Sequence, residues 1–211
     1  MYLNTCCSKG FFVVSRPSST ELSPSAISTK IVIAGGFGAG KTTFVRSISE
    51  IEPVTTEALM TEASQGTDDL SSTPDKVTTT VAMDFGRVSL DEDLALYLFG
   101  TPGQDRFWFL WDDLIRGALG AVVLADPRRL ADCFPAIEYF ENLPDAPFIV
   151  ALNCFDGILP FELDDVRSAL ALGPEVPLLT CDARDTTSAI YTLTELVRYA
   201  MHFTDPEVVH A

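Results

Sequence analysis

Gly35-Gly36-Phe37-Gly38-Ala39-Gly40-Lys41-Thr42 spells G-x-x-x-x-G-K-T, the pattern of a phosphate-binding loop. Its flanks agree with that reading. Lys30-Ile31-Val32-Ile33-Ala34 reads as a short buried strand, and Thr43-Phe44-Val45-Arg46-Ser47-Ile48 as the first turns of a helix. Glycines let successive backbone N–H groups curl around a phosphate, and the helix N-terminus adds partial positive charge. Gly35, Gly38, Ala39, Gly40, Lys41, Thr42 and Thr43 are therefore candidate nucleotide contacts. Lys41 is placed to reach the β- and γ-phosphates, and the Thr42 hydroxyl to ligate Mg²⁺. The stretch fixes the ligand class, a nucleoside phosphate, and leaves base and reaction open.

Outward from the loop, strand and helix signals alternate. After the first helix, Pro53 to Val77 is rich in Thr, Ser, Asp and Glu, and Glu57–Ala63 reads as a short helix within it. Thr80–Val88 and Leu94–Phe99 read as strands, with Asp91-Glu92-Asp93 as a hairpin turn between them. Phe107–Ile115 reads as a helix, Gly120–Ala125 as a buried strand, Cys133–Phe140 as a helix and Phe148–Leu152 as a buried strand. Leu163–Leu170 reads as a helix, Val176–Thr180 as an edge strand, and Ile190, Leu193, Leu196, Val197 and Ala200 mark a last helix. This alternation predicts an α/β protein, a three-layer α/β/α nucleotide-binding fold on a mixed, mostly parallel six-stranded sheet. Residues 1–28 are Ser/Pro-rich and read as a disordered leader, 29–204 as the domain, and 205–211 as a flexible tail. Ligands of such sheets bind at the carboxyl ends of the strands.

The 211 residues suffice for one full core, and 47% hydrophobic with 21% charged residues is the balance of a soluble globular chain. No apolar run reaches membrane-spanning length, and Phe11-Phe12-Val13-Val14 is too short for a signal-peptide core. The expectation is a cytoplasmic protein, associated with membrane only through partners. A formal charge of −16 repels nucleic-acid backbones, which excludes a nucleic-acid partner. Five cysteines without a C-x-x-C pair argue against a disulfide framework or a zinc site. Between Arg46 and Lys76 there is no basic residue but seven acids. That reads as a solvated acidic loop, with docking of a basic partner as the functional alternative.

Three further elements follow successive predicted strands: Gly100-Thr101-Pro102-Gly103-Gln104, Asn153-Cys154-Phe155-Asp156 and Thr180-Cys181-Asp182-Ala183-Arg184. They resemble the D-x-x-G-Q, N-K-x-D and S-A-K elements of Ras-like GTPases. The resemblance implies that Gly103 offers its N–H to the γ-phosphate and that Gln104 orients the attacking water. It implies that Asn153 and Asp156 read guanine, and that the Asp182-Ala183-Arg184 segment closes on the base, the Ala183 N–H meeting guanine O6. In Thr78-Thr79-Thr80 it implies a threonine that ligates Mg²⁺ and senses the γ-phosphate, Thr80 first and Thr79 as the alternative. Gln104, Lys41 and Thr80 are then the catalytic candidates, and Thr42 and Thr80 the metal ligands.

Two departures qualify the resemblance. The acid that opens the third-strand element is Gly100 here, and the lysine of the guanine element is Cys154. Asp84 is a further metal donor in principle, but reads as a strand residue on a polar face. No arginine directly precedes Thr80, so a cis arginine finger is not evident; Arg106 is the nearest substitute, with surface ion pairing as its ordinary role.

Residues 30–203 resemble bacterial Ras-like GTPases, with the G-T-P-G-Q variant similar to the MglA-type branch. Thr56–Ala63 and Phe99–Trp108 resemble the conservon (CvnD-type) GTPases of actinobacteria more closely still. That resemblance implies a GTP/GDP switch with Mg²⁺, slow intrinsic hydrolysis, and a roadblock/LC7-type regulator beside sensor-kinase-like and DUF742 proteins. A catalytically weak pseudo-GTPase that serves as a nucleotide-dependent interaction module is the second reading. An ATPase, with Asp126 at the end of Ala121–Ala125 as the metal-binding acid, is the third. Phe107-Trp108-Phe109-Leu110-Trp111 cannot place all five side chains on one helix face. Part is core, and part is expected to present a partner-binding surface.

Overall fold

The computed structural model describes residues 27–52, 58–59, 78–79, 83–91, 93–103, 105–157, 159 and 161–204. In chain order the elements are β1 (Ile27–Ala34), α1 (Lys41–Ile48), β2 (Ala58–Leu59), β3 (Thr78–Thr79), β4 (Asp84–Asp91), β5 (Leu94–Gly100), α2 (Trp111–Ile115), β6 (Ala118–Ala125), α3 (Phe134–Glu141), β7 (Phe148–Asn153), α4 (Leu163–Ala169), β8 (Leu178–Cys181) and α5 (Thr186–Thr204). Short 3₁₀ turns precede α2 (Asp105–Leu110) and α3 (Leu130–Cys133), and another follows β7 (Phe155–Gly157).

Six strands form one sheet in the order β4-β5-β1-β6-β7-β8. Only β4 runs antiparallel, paired with β5 through the hairpin; the other neighbours are parallel. The central strands are apolar without interruption because both faces are covered. Alternate residues of β1 go to opposite sides. Ile31 and Ile33 pack with Phe44 and Val45 of α1 and Leu193 and Leu196 of α5. Val32 and Ala34 pack with Trp111 of α2, Ile137 and Phe140 of α3, and Val166 of α4. The result is the expected three-layer α/β/α arrangement.

The strand order places the carboxyl ends of β1, β5, β6 and β7 side by side, and the loops that carry the sequence motifs leave from those ends. Thr101, just beyond β5, donates its N–H to the Ile33 carbonyl at 2.8 Å, which ties the Gly100–Gly103 turn to the base of the phosphate loop.

Several boundaries differ from the sequence reading. β1 begins at Ile27, pairing Ile27 and Ser28 with Leu94 and Ala95, so these two residues of the segment read as leader are strand; residues 1–26 and 205–211 lie outside the described residues. The helix expected over 57–63 is not formed at Ala58 and Leu59. They are a strand paired antiparallel with Thr79 and Thr78. Thr80, Val81 and Ala82 lie outside the described residues, and β4 starts at Asp84 rather than Thr80. The helix expected over 107–115 is a 3₁₀ turn followed by one α-helical stretch. Phe107 and Trp111 enter the core while Trp108 and Phe109 stay 37% and 40% exposed.

Candidate functional site

The phosphate loop is held open by contacts that admit no side chain. Gly40 immediately precedes α1 with φ of +105°, and a Cβ there would stand 2.4 Å from Asn153 Nδ2. Only glycine accepts both the left-handed backbone and that proximity. A Cβ on Gly35, at φ of +133°, would stand 2.2 Å from the Leu124 carbonyl oxygen. β6 and β7 therefore press directly on the loop.

Lys41, the first residue of α1, folds back over the loop. Its Nζ donates to the carbonyls of Gly35 and Gly36, both at 2.7 Å. The side chain is buried, and burial pushes the ammonium pKa down to about 8, with the nearby Asp84 carboxylate opposing the fall. Gly103 lies against this cation: a Cβ on it would be 2.7 Å from Lys41 Nζ and 3.0 Å from the Phe37 backbone. The turn after β5 thus meets the phosphate loop at its lysine.

Thr42 Oγ1 donates to Asp84 Oδ2 at 2.6 Å. Asp84 is the strand residue expected, the first of β4, and its carboxylate faces the loop threonine. Asp84 is the direct cross-strand partner of Gly100, and a Cβ on Gly100 would be 3.1 Å from Asp84 Cβ and 3.3 Å from its Oδ2. A carboxylate is therefore present where the third-strand acid is missing, supplied from β4 instead of β5. Directly opposed residues of an antiparallel pair lie close enough for one to fill the place of the other.

Asp126 does not meet Thr42 in the described contacts. Its carboxylate is forked by Arg128, with Nε to Oδ1 at 2.9 Å and a terminal nitrogen to Oδ2 at 2.7 Å. The hydrogen bonds from Arg128 hold its pKa below the usual carboxylate range. The same guanidinium lies 3.9 Å from the Phe155 ring centre. The acid proposed for an ATPase metal site is thus an ion-pair partner, and Asp84 is the acid at the loop threonine.

Asn153 is buried at the end of β7 and joins two loops. Its Nδ2 donates to the Ala39 carbonyl at 3.0 Å, and its Oδ1 accepts the Ala183 N–H at 3.1 Å. The Ala183 N–H, which the resemblance directs to guanine O6, donates here to the buried Asn153 amide oxygen. Cys154 is buried and donates its N–H to the Cys181 carbonyl at 2.7 Å. Beyond it Asp156 lies in the 3₁₀ turn Phe155–Gly157, and its side chain is outside the described residues. Arg184 forks onto Asp182 at 3.1 and 3.0 Å and holds that carboxyl below its ordinary pKa.

The structure thus gathers Gly35, Gly38, Ala39, Gly40, Lys41, Thr42, Gly103, Asn153 and the Asp182–Arg184 loop at one end of the sheet. Thr43 continues α1 beside them. Gln104 and Thr80 lie outside the described residues. Sequence reasoning missed the Asp84–Thr42 contact and a second one: Arg129 donates to the Phe37 carbonyl at 2.6 Å and pairs with Asp132 at 2.7 Å. No short motif links either pair. Among the described residues no three His, Cys, Asp or Glu side chains cluster to hold a metal unaided. The Thr42 hydroxyl with the Asp84 carboxylate is nonetheless an all-oxygen donor set. That suits Mg²⁺, which binds through one or two carboxylates, waters and substrate phosphates.

Residues 33–203 match the model of a family described as "conserved hypothetical ATP binding protein". No curated protein sequence matches the chain. Among solved structures, the G domain of the T. maritima FeoB iron transporter is similar with a TM-score of 0.56 at 15% identity, over 85% of this chain and 100% of that one. The cytosolic domain of the same transporter in apo form gives 0.59 at 16% identity, over 82% of this chain and 64% of that one. At these identities the likeness shows a shared fold, the six-stranded, mostly parallel sheet of a G domain.

Proposed function

The chain belongs to the family of conserved hypothetical ATP-binding proteins, and we propose that it is a nucleoside-triphosphate switch that selects GTP and hydrolyses it slowly. The observation that carries this reading is the placement of Gly103 against Lys41 Nζ. The turn that bears the candidate water-positioning Gln104 starts at the lysine that reaches the β- and γ-phosphates.

Each residue then has a task. Lys41 gives up its loop carbonyls for phosphate oxygens. The Gly103 N–H meets the γ-phosphate, and Gln104 orients the attacking water. Thr42, through its hydroxyl, and Asp84 would hold Mg²⁺, with Thr80 as the further candidate ligand. A Mg²⁺ held there would supply charge neutralisation on the β- and γ-phosphates. Loss of the γ-phosphate releases the segments around Thr80 and Gln104, an order-to-disorder device used by switch proteins.

Guanine selection rests on Asn153 and Asp156. Asn153 braces the phosphate loop against the Asp182–Arg184 loop, and this favours a base seated between those segments. The second reading, ATP, is favoured by the family description and by the capture of the Ala183 N–H. Competition of GTP and ATP against one fluorescent nucleotide decides between them, since a preference for ATP overturns the guanine assignment. Single-turnover hydrolysis with and without partner separates a switch from a pseudo-GTPase.

By family resemblance the switch works in a bacterial signalling unit, cytoplasmic, with a roadblock/LC7-type regulator and sensor-kinase-like or DUF742 proteins. Among the described residues no helix is long and apolar enough to cross a membrane. The exposed rings of Trp108 and Phe109, five residues or fewer from Gln104, are the face proposed for the regulator. Retained regulator binding by Trp108→Ala counts against that face.

A further inference from the structure

A guanidinium reaches the phosphate loop from the far side of the turn after β6. Arg129 donates to the carbonyl of Phe37, 92 positions away in the chain. It lies in the same part of the loop as Gly38, whose Cβ position would be 3.8 Å from the guanidinium. Phe37 marks the γ-end of the loop. The Cβ position of Gly103 is 3.0 Å from Phe37 N and Cα and 2.7 Å from Lys41 Nζ, and Lys41 is the residue that reaches the β- and γ-phosphates. Arg129 and Gly103 therefore flank Phe37.

The cation is held, but not locked. Arg129 and Asp132 are both about half exposed and pair at 2.7 Å across one turn. Exposed ion pairs of this kind are worth no more than about 1 kcal/mol. Asp132 is itself close to the loop, its Cβ 2.7 Å from the Cβ position of Gly36. A phosphate entering the loop meets that acid and the guanidinium together. Electrostatics favours turning the guanidinium toward the phosphate, because a fork of donors matches phosphate oxygens and a carboxylate cannot.

We propose that Arg129 is a catalytic arginine supplied in cis, turning from the Phe37 carbonyl to the γ-end of a bound nucleoside triphosphate. This rests on the switch reading above. In the step concerned, the oxygen of water forms a bond to the γ-phosphorus and the bond from γ-phosphorus to the β–γ bridging oxygen breaks. The electron pair of that bond stays on the bridging oxygen of the leaving diphosphate, and the water proton passes to the released phosphate. Arg129 faces the charge that grows on the bridging and γ-oxygens. A cation there lowers the barrier more than it strengthens diphosphate binding.

The test uses the full chain with Arg129→Ala, Arg129→Lys and Asp132→Asn, GTP and ATP as substrates, and their diphosphates as controls. Two quantities are read: the single-turnover hydrolysis rate, and the ratio of triphosphate to diphosphate affinity. Arg129→Ala is expected to slow hydrolysis by about 10²-fold, the loss seen when one transition-state donor is removed. It should lower the affinity ratio while leaving diphosphate affinity within about threefold, a margin below 1 kcal/mol. Arg129→Lys should keep part of both effects, and Asp132→Asn should raise the affinity ratio by freeing the guanidinium.

Unchanged rate and ratio in Arg129→Ala overturn the proposal while the switch reading stands. Equal losses for triphosphate and diphosphate also overturn it, because they indicate loop support only. A wild-type chain that binds triphosphate without turnover is judged on the ratio. A wild-type chain that binds no nucleoside triphosphate overturns the switch reading, and this proposal with it.

Discussion

Asp84→Ala should uncouple Mg²⁺ from nucleotide binding while leaving the fold intact. Asp84 accepts from the Thr42 hydroxyl at 2.6 Å. A hydrogen bond to a charged group contributes about 1.5–3 kcal/mol, and the lower end applies to this solvent-reached contact. The change in melting temperature should then be a few degrees. The metal term is larger. Removing an acid that orients a metal's ligands or waters typically costs 10- to 100-fold in affinity, about 1.4–2.7 kcal/mol. Nucleotide titrated at several Mg²⁺ concentrations, and again in chelator, should show that loss only where Mg²⁺ is present. The cross-strand geometry supplies an internal control. Gly100→Asp alone should not help, because its Cβ would stand 3.3 Å from Asp84 Oδ2 and set two like charges together. The exchange Asp84→Gly with Gly100→Asp restores one acid from the other strand, and should recover part of the Mg²⁺ dependence. An Asp84→Ala protein with wild-type Mg²⁺ dependence, or one that loses affinity equally in chelator, refutes the reasoning.

Two further outcomes are expected. Lys41 releases its proton at about pH 8 in the folded chain against 10.5 in the unfolded one. Below pH 8 both states hold the proton; between the two values only the unfolded state does, so stability should rise with pH through that window, by up to about 3 kcal/mol. Nucleotide affinity should move the other way, falling as pH passes 8, because phosphate wants the ammonium. Denaturant melts and nucleotide titrations from pH 7 to 10, set against Lys41→Met, check both signs. Asn153→Ala leaves the Ala39 carbonyl and the Ala183 N–H without their partner. The expected cost is about 2–4 kcal/mol, a fall in melting temperature of roughly 5–15 °C; a change below about 1 kcal/mol would show that water replaces the amide at no cost.

The fold was legible because its signals are local. The G-K-T loop needs a strand before it and a helix after it, and β1 and α1 supply both. The unbroken apolar runs of β6 and β7 announce strands covered on both faces, and the core shows them so. The site was legible only where a motif carries its own partner within a few residues. The nearness of Asp84 to the loop threonine is not legible in sequence, because it depends on antiparallel pairing that sets Asp84 opposite Gly100. In a one-dimensional reading these residues belong to different strands. The Arg129–Phe37 contact is illegible for a similar reason: the loop partner lies across the β1–β6 boundary, and an arginine in D-P-R-R has no motif to announce it. The strand at Ala58–Leu59 escaped because two residues show no periodicity.

The buried Asn153 amide also orders the events of folding. The phosphate loop is synthesised early, yet its Ala39 carbonyl is capped by a side chain 114 residues downstream. That same side chain is oriented by an N–H a further 30 residues on. Contacts of such separation form late, after the loop-closure entropy between them has been met. A ribosome-bound chain stalled before residue 183 therefore carries the entire G-K-T motif without a finished ligand cradle. Such a chain should not retain nucleoside triphosphate, whereas one extended past α5 should, and retention assayed on stalled chains would show whether ligand capture waits for the loop after β8 and for α5.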